Sequence, residues 1–198
     1  MSRYASIVLI VTIGALLALG LVTLFSAEQV SKSANFERHL AWVGVGLVVC
    51  SISAMIDYRR WQMWAWPAFW LAAFLLLLCF APGIGVKIYS ASRWIDIGFR
   101  FQPSELAKLA GVLFLATWYT KYADRAGTTW YGFVLPGLAI SILAALIAVE
   151  VDIGAATLLG AVTGIVMLMA GVRFRWLFLG VTGAFGFVAS AIYLLPER

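Results

Sequence analysis

Apolar residues run almost unbroken for about 17 to 23 positions at a time along this chain, and polar residues collect in the intervals between the runs. Seven such runs stand out: Tyr4 to Ser26, His39 to Ile56, Met63 to Ala81, Ser104 to Thr120, Tyr131 to Val149, Ile153 to Ala170, and Trp176 to Leu195. At a helical rise of about 1.5 Å per residue, each is long enough to cross roughly 30 Å of hydrocarbon. The first run follows Arg3 as a signal peptide would, but it exceeds the usual h-region of about 7 to 15 residues and six more runs follow, so it reads as a retained helix. The pattern predicts an all-α fold, a polytopic transmembrane helix bundle of about seven spans, with residues 1–198 as a single integral membrane domain.

Composition agrees with the pattern. Hydrophobic residues make up 64% of the chain and charged residues 12%, about half the charge of a soluble domain. The formal charge of +5 is spread over the loops, which excludes a nucleic-acid-binding arm and suits contact with membrane lipids. Cys50 and Cys79 fall inside runs and act there as small apolar residues. His39, the single histidine, stands at a run boundary beside Arg38 and reads as interfacial. No metal-ligand cluster, P-loop, HExxH or GxSxG pattern is present in the sequence.

With the N-terminus inside, the cytoplasmic segments carry Arg3, Arg59, Arg60, Lys121, Arg125, Arg173 and Arg175, against Lys32, Arg38, Lys87, Arg93, Arg100 and Arg198 outside. Outer loops are usually poor in basic residues, so the near tie suggests that something anionic is bound on that side. The outer excess lies mainly between Pro82 and Pro103. There Ile95, Ile97, Phe99 and Phe101 alternate with Asp96, Gly98 and Arg100, a period-two pattern that predicts an extended hairpin at the interface. The plain alternative is a loop resting its apolar face on lipid headgroups.

Next comes a helix start: Gln102 as a modest cap, Pro103 in the first turn, and Glu105 near the positive end of the dipole. Lys108, three residues on, shares the face of Glu105 and lies inside the run, so the two can pair. A second acidic point, Glu150-Val151-Asp152-Ile153-Gly154, joins the fifth and sixth runs with no polar loop to carry it. One reading is a capping Asp152 with a solvated Glu150; the other brings Asp152, Lys108, Glu105 and Arg93 together on an outward-facing cavity. Ions at membrane depth are functional by default. Other features are structural in character: Gly160 and Gly164, with Gly180, Gly183 and Gly186, suggest close helix packing, and Trp61, Trp64, Trp66 and Trp70 suggest an interfacial belt.

At these positions the sequence resembles the SEDS family (shape, elongation, division and sporulation), the FtsW/RodA/SpoVE group of cell-wall polymerases. The resemblance rests on Arg93-Trp94-Ile95, on Gln102-Pro103-Ser104-Glu105 with Lys108, and on Glu150-Val151-Asp152-Ile153-Gly154-Ala155, which looks like the family's Gln-Pro-Asp-Leu-Gly-Thr turn without its Pro and Thr. Gly20-Leu21-Val22 followed by Ser26-Ala27 is similar to the end of the family's first helix.

The resemblance implies a peptidoglycan glycosyltransferase that polymerises lipid II at the outer face of the bacterial cytoplasmic membrane, in division or elongation, with a class B penicillin-binding transpeptidase as partner. It assigns Arg93, Arg100, Glu105, Lys108 and Asp152 to substrate binding. Trp94, Gln102, Pro103, Ser104, Glu150 and Gly154 become the structural motif around them. The family fold has about ten helices, so the chain is expected to be its N-terminal portion, with the family's catalytic Asp beyond Arg198 and the fragment inactive alone. No cofactor is identified, a divalent cation staying open. Two other readings use the same residues: a flippase or transporter of lipid-linked precursors, and a non-enzymatic scaffold for the transpeptidase.

Overall fold

A computed structural model describes residues 3–31, 36–81, 85–88, 91–96, 100–150, 152–180 and 182–183. The chain divides into two compact units, Met1–Asp57 and Tyr58–Arg198. The first holds two helices, α1 (Arg3–Ser31) and α2 (Phe36–Met55). Phe25 and Phe36 meet edge to face at 5.3 Å between them. Along both helices hydroxyls turn back onto the preceding turn, Thr12 to the Val8 carbonyl and Ser51 to the Leu47 carbonyl, so no hydroxyl of that pair is presented bare to hydrocarbon.

The second unit begins with α3 (Tyr58–Leu78), followed by the strands β1 (Gly85–Ile88), β2 (Ala91–Asp96) and β3 (Arg100–Phe101). These form one antiparallel sheet in the order β1-β2-β3. Ile95 sits opposite Gly85 on one side and Phe101 on the other, and Asp96 opposite Arg100. The period-two alternation therefore does mark extended chain, with three strands where a hairpin needs two; Ile97, Gly98 and Phe99 lie outside the described residues. Ile95 is buried, so the alternation points inward at this position.

Helix α4 (Pro103–Lys121) is followed by a 3-10 turn (Ala123–Arg125), a π-helical segment (Thr129–Val134), α5 (Leu135–Val149) and α6 (Ile153–Met169). Residues 174–180 are again helical. Of the run expected from Trp176 to Leu195, the part from residue 184 on lies outside the described residues.

α4 is the centre of this unit although it carries charge. Ala107 and Ala110 are buried, so α3 approaches closely and buries Ala72, Ala73 and Leu76 in turn. Phe114 packs against Phe69 at 4.8 Å and edge-on to Trp66 at 5.0 Å between ring centres. Trp66 keeps an exposed edge, as an interfacial residue would, while its ring rests against the core through Phe114. Around Gly111 the other two helices converge: a Cβ there would stand 3.1 Å from Leu159 Cδ1 of α6 and 3.3 Å from Ile140 Cδ1 of α5.

By length and composition, four described helices can cross a membrane: Ile7–Ala27, Phe36–Met55, Tyr58–Leu78 and Thr129–Val149, with Ile153–Met169 a shorter apolar helix. α4 is not among them because Glu105, Lys108 and Lys121 dilute its apolar surface. That suits a helix lined by protein on several sides. The expected packing at Gly160 and Gly164 is not present among the described residues, where nothing lies within 4 Å of a Cβ at either. The reason is rotational: α6 turns Leu159, Thr163 and Met167 inward, and the glycines face elsewhere.

Candidate substrate site at the head of α4

Three elements meet where α4 begins: the sheet, the α5–α6 turn and the end of α3. Pro103 supplies the first helical position, where a missing N–H costs nothing, and Ser104 behind it is fully buried. Gln102 precedes the helix in an extended conformation, and its side chain makes no capping bond. This corrects the expectation of a Gln102 cap. Its amide Nε2 instead donates to Asp152 Oδ2 at 2.9 Å, a charge-assisted bond that outcompetes a weak local cap.

Asp152 caps α6 as expected, Oδ1 accepting from the Ala155 N–H at 3.1 Å. Both carboxylate oxygens are therefore occupied, one by its own helix and one by α4. Gly154 lies beside this cap, 3.8 Å separating an added Cβ from Asp152 Oδ1.

Glu105 and Lys108 form the anticipated ion pair, Nζ to Oε1 at 2.8 Å. The two partners sit in unequal surroundings. The Glu105 side chain is 62% exposed and Lys108 22%, so Lys108 reaches out of the bundle toward an acid already at the surface. Among the described residues Lys108 makes no ion pair with Asp152.

Glu150 departs from the solvated reading: it is 1% exposed. The helix does not break into a loop after Val149, and the tight turn keeps Glu150 inside the packed end of the bundle. Its side chain lies near the thiol of Cys79, itself buried, and the two interact electrostatically. Cys79 is thus a polar partner as well as a small residue. Nothing in the spacing of residues 71 positions apart foretold that.

Arg93 and Arg100 are placed as backbone positions in β2 and β3. Their side chains lie outside the described residues, as does Val151. Trp94, next to buried Ile95, is half-buried. The sheet that carries both arginines leads through Gln102 directly into α4. One end of the unit therefore gathers two strand-borne cations, an ion pair and a tethered carboxylate. Among the described residues no group of three or more His, Cys, Asp or Glu could hold a metal.

At the opposite end, residues the sequence reading passed over fix the fold. The π-helical segment leaves carbonyls without the usual helical partner, and α4 supplies donors for them. Tyr119 OH donates to the Gly132 carbonyl at 2.6 Å and Trp118 Nε1 to the Tyr131 carbonyl at 2.9 Å. Their signal was in the sequence as Phe114, Trp118 and Tyr122 at i, i+4 spacing.

Comparison with known proteins places this arrangement. The chain matches the FtsW/RodA/SpoVE family model, described as cell cycle protein, over residues 6–198. It is 37% identical over 175 residues to the probable peptidoglycan glycosyltransferase FtsW of Trichlorobacter lovleyi, covering 84% of this chain and 46% of that one. With the protein of the same description from Geobacter sp. strain M18 it shares 34% over 182 residues, covering 88% and 49%. The chain spans about half the length of these curated relatives. Among solved structures, one from a peptidoglycan synthase complex that coordinates polymerization and crosslinking superposes with a TM-score of 0.76 at 28% identity, over 93% of this chain and 53% of that one. The rod shape determining protein RodA of Thermus thermophilus superposes with a TM-score of 0.74 at 26% identity, over 88% and 56%. This chain, a multi-pass membrane protein, belongs to the FtsW/RodA/SpoVE family.

Proposed function

We propose that this chain is the substrate-binding half of a peptidoglycan glycosyltransferase that polymerises lipid II at the outer face of the bacterial cytoplasmic membrane. The observation that carries the reading is the family match over residues 6–198, joined to the charged end just described: the Glu105–Lys108 pair, the Gln102–Asp152 bond and a sheet bearing Arg93 and Arg100.

The chemistry fits these residue types. Undecaprenyl pyrophosphate leaves the donor sugar as its anomeric C–O bond breaks and the acceptor hydroxyl forms the new glycosidic bond, and fixed cations stabilise the charge that develops on the leaving group. Arg93, Arg100 and Lys108 are cations at this end of α4. A carboxylate is also needed to take the proton from the attacking sugar hydroxyl. Asp152 is poorly suited to that task, since both of its oxygens already accept hydrogen bonds, and Glu105 is engaged by Lys108. By the family resemblance, the base belongs to the part of the relatives that this chain does not span. Here Asp152 and Gln102 hold the geometry, and the cations hold the pyrophosphate. By the same family reading, the N-terminus is cytoplasmic and the partner is a class B penicillin-binding transpeptidase, in line with the polymerizing and crosslinking complex of the structural relative.

The test is a chimera in which residues 6–198 replace the matching segment of the Trichlorobacter lovleyi relative, purified and supplied with lipid II. Glycan strands are expected. Arg93→Ala should reduce them far more than it lowers protein level, and Arg93→Lys should restore only part, because a point charge replaces a bidentate fork. Undiminished synthesis by Arg93→Ala removes the arginine from the site. A chimera that moves lipid II across vesicle membranes yet makes no glycan replaces the polymerase reading with a transporter.

A further inference from the structure

Only Glu150 and Val151 separate the end of α5 from Asp152, the residue that caps α6. The backbone on both sides of Val151 is bonded back to α5: the Glu150 N–H donates to the Leu146 carbonyl at 3.2 Å and the Asp152 N–H to the Ile147 carbonyl at 3.3 Å. Two such bonds leave little freedom between the acids, so where Glu150 is seated, Asp152 follows. Asp152 is the residue whose placement is exacting. Its oxygens lie 2.9 Å from Gln102 Nε2 and 3.1 Å from the Ala155 nitrogen, and a hydrogen bond weakens steeply when either partner is displaced.

A carboxyl group at a helix end ordinarily stays in water. Glu150 is instead buried, whereas Asp152, two positions on, keeps partial exposure. Its seat reaches across to α3, because Cys79, directly after the last residue of that helix and itself buried, interacts with it electrostatically. The end of α3 and the turn between α5 and α6 are thereby joined through one enclosed side chain. The family's turn has Gln at this place, where the chain has Glu150. Gln and Glu share length and shape and both end in a polar head, which is what an enclosed seat of this kind selects. Being enclosed, Glu150 cannot itself touch a substrate.

We propose that Glu150 is a positioning residue for the site at the head of α4: seated beside Cys79, it holds the turn between α5 and α6 where Asp152 reaches Gln102. Gln102 follows β3, which carries Arg100, and precedes α4, which carries Lys108. Release of the tie therefore loosens the mounting of the cations assigned to the pyrophosphate. The effect on substrate rests on the proposed function, while the effect on the tie does not.

The first arm of the test is a thermodynamic cycle on the chain itself, by equilibrium unfolding in detergent. Glu150→Ala should change the folding equilibrium about 5-fold less in a Gln102→Leu background than in the unaltered chain, because the contact it positions is already gone. Combined with Tyr119→Phe, at the far end of α4, it should be additive. Additivity with Gln102→Leu overturns the proposal. Should Glu150→Ala not be recovered folded, Cys79→Ala, which opens the same seat from the side of α3, takes its place in the cycle with the same expectation. The second arm uses the chimera described above and lipid II. Glu150→Ala should raise KM about 10-fold or more while the pH profile of kcat stays as it was. Glu150→Gln should restore KM, and Glu150→Leu, of similar bulk but apolar, should not. A shifted pH profile would make Glu150 a group in the chemical step, and a Gln variant as poor as the Ala variant would mean that charge and not seating is needed; either result overturns the positioning role. If the unaltered chimera makes no glycan, the polymerase reading fails, and the unfolding cycle still decides the role of Glu150.

Discussion

Gly132 shows how a single hydrogen atom can hold a helix end in place. A Cβ at this position would collide with the Ala126 carbonyl, part of the backbone and unable to swing aside. The close approach lets the Gly132 carbonyl meet Tyr119 OH and its N–H meet the Thr128 carbonyl at 3.0 Å. Gly132→Ala is therefore expected to destabilise the folded chain by about 1 to 3 kcal/mol or more, read as a lowered unfolding midpoint in detergent. Gly127→Ala, five residues earlier with nothing within 4 Å of its Cβ, should be silent. Equal behaviour of the two would show that the turn relaxes freely. The ion pair at the other end of α4 yields a second residue-scale expectation. With Lys108 gone, Glu105 remains a largely exposed acid at the positive end of a helix; with Glu105 neutralised, Lys108 keeps its charge in a more enclosed place. Glu105→Gln should therefore cost more than Lys108→Met, up to about 1 kcal/mol given the exposure of the pair. Equal midpoints for the two variants would mean that Lys108 has a second route to water.

Between elements, the hydrogen bond from Gln102 to Asp152 ties the start of α4 to the start of α6 across 50 residues of sequence. Asp152→Ala removes that tie together with the α6 cap, and Gln102→Leu removes the tie alone. A hydrogen bond to a charged group contributes about 1.5 to 3 kcal/mol and a cap about 1. The double variant should then lose less than the sum of the singles, by about 1 kcal/mol or more in equilibrium unfolding. Strict additivity would mean that the two helices are positioned by packing alone. This tie also marks the boundary of what the sequence discloses. Local patterns were legible: the apolar runs became α1 to α6, the alternation from Ile95 became strands, and the spacing of Glu105 and Lys108 became an ion pair. Contacts set by the packing of distant helices were not. Glu150 reads as a surface acid because its neighbours in sequence form a turn, and only the arrival of α3 with Cys79 encloses it. Gln102 reads as a local cap because Asp152 is too far along the chain to be weighed as its partner. Gly160 and Gly164 read as a packing stripe, although toward the described residues α6 presents Leu159, Thr163 and Met167. Periodicity reports which residues share a face, and it is silent on which neighbour that face will meet.

For the whole molecule the question is which end of the second unit faces the cytoplasm, and the placement of the Lys and Arg residues makes a prediction. Basic residues close to span ends resist transfer across the membrane, so the end with the excess of cations stays inside. That end holds Arg59, Arg60, Lys121, Arg125, Arg173 and Arg175. The sheet and the head of α4 are then expected outside, the side that the proposed function requires. Single cysteines make this testable in intact cells with a membrane-impermeant maleimide. Ser92→Cys in β2 should react at once, whereas Thr128→Cys, between the 3-10 turn and the π-helical segment, should react only after the membrane is permeabilised. The native thiols should add little background, since Cys79 is buried and Cys50 lies within α2, a helix long and apolar enough to cross a membrane. Labelling in the reverse order would put the Glu105–Lys108 pair and the arginine-bearing sheet on the cytoplasmic side. The proposed polymerase site would then face the wrong compartment.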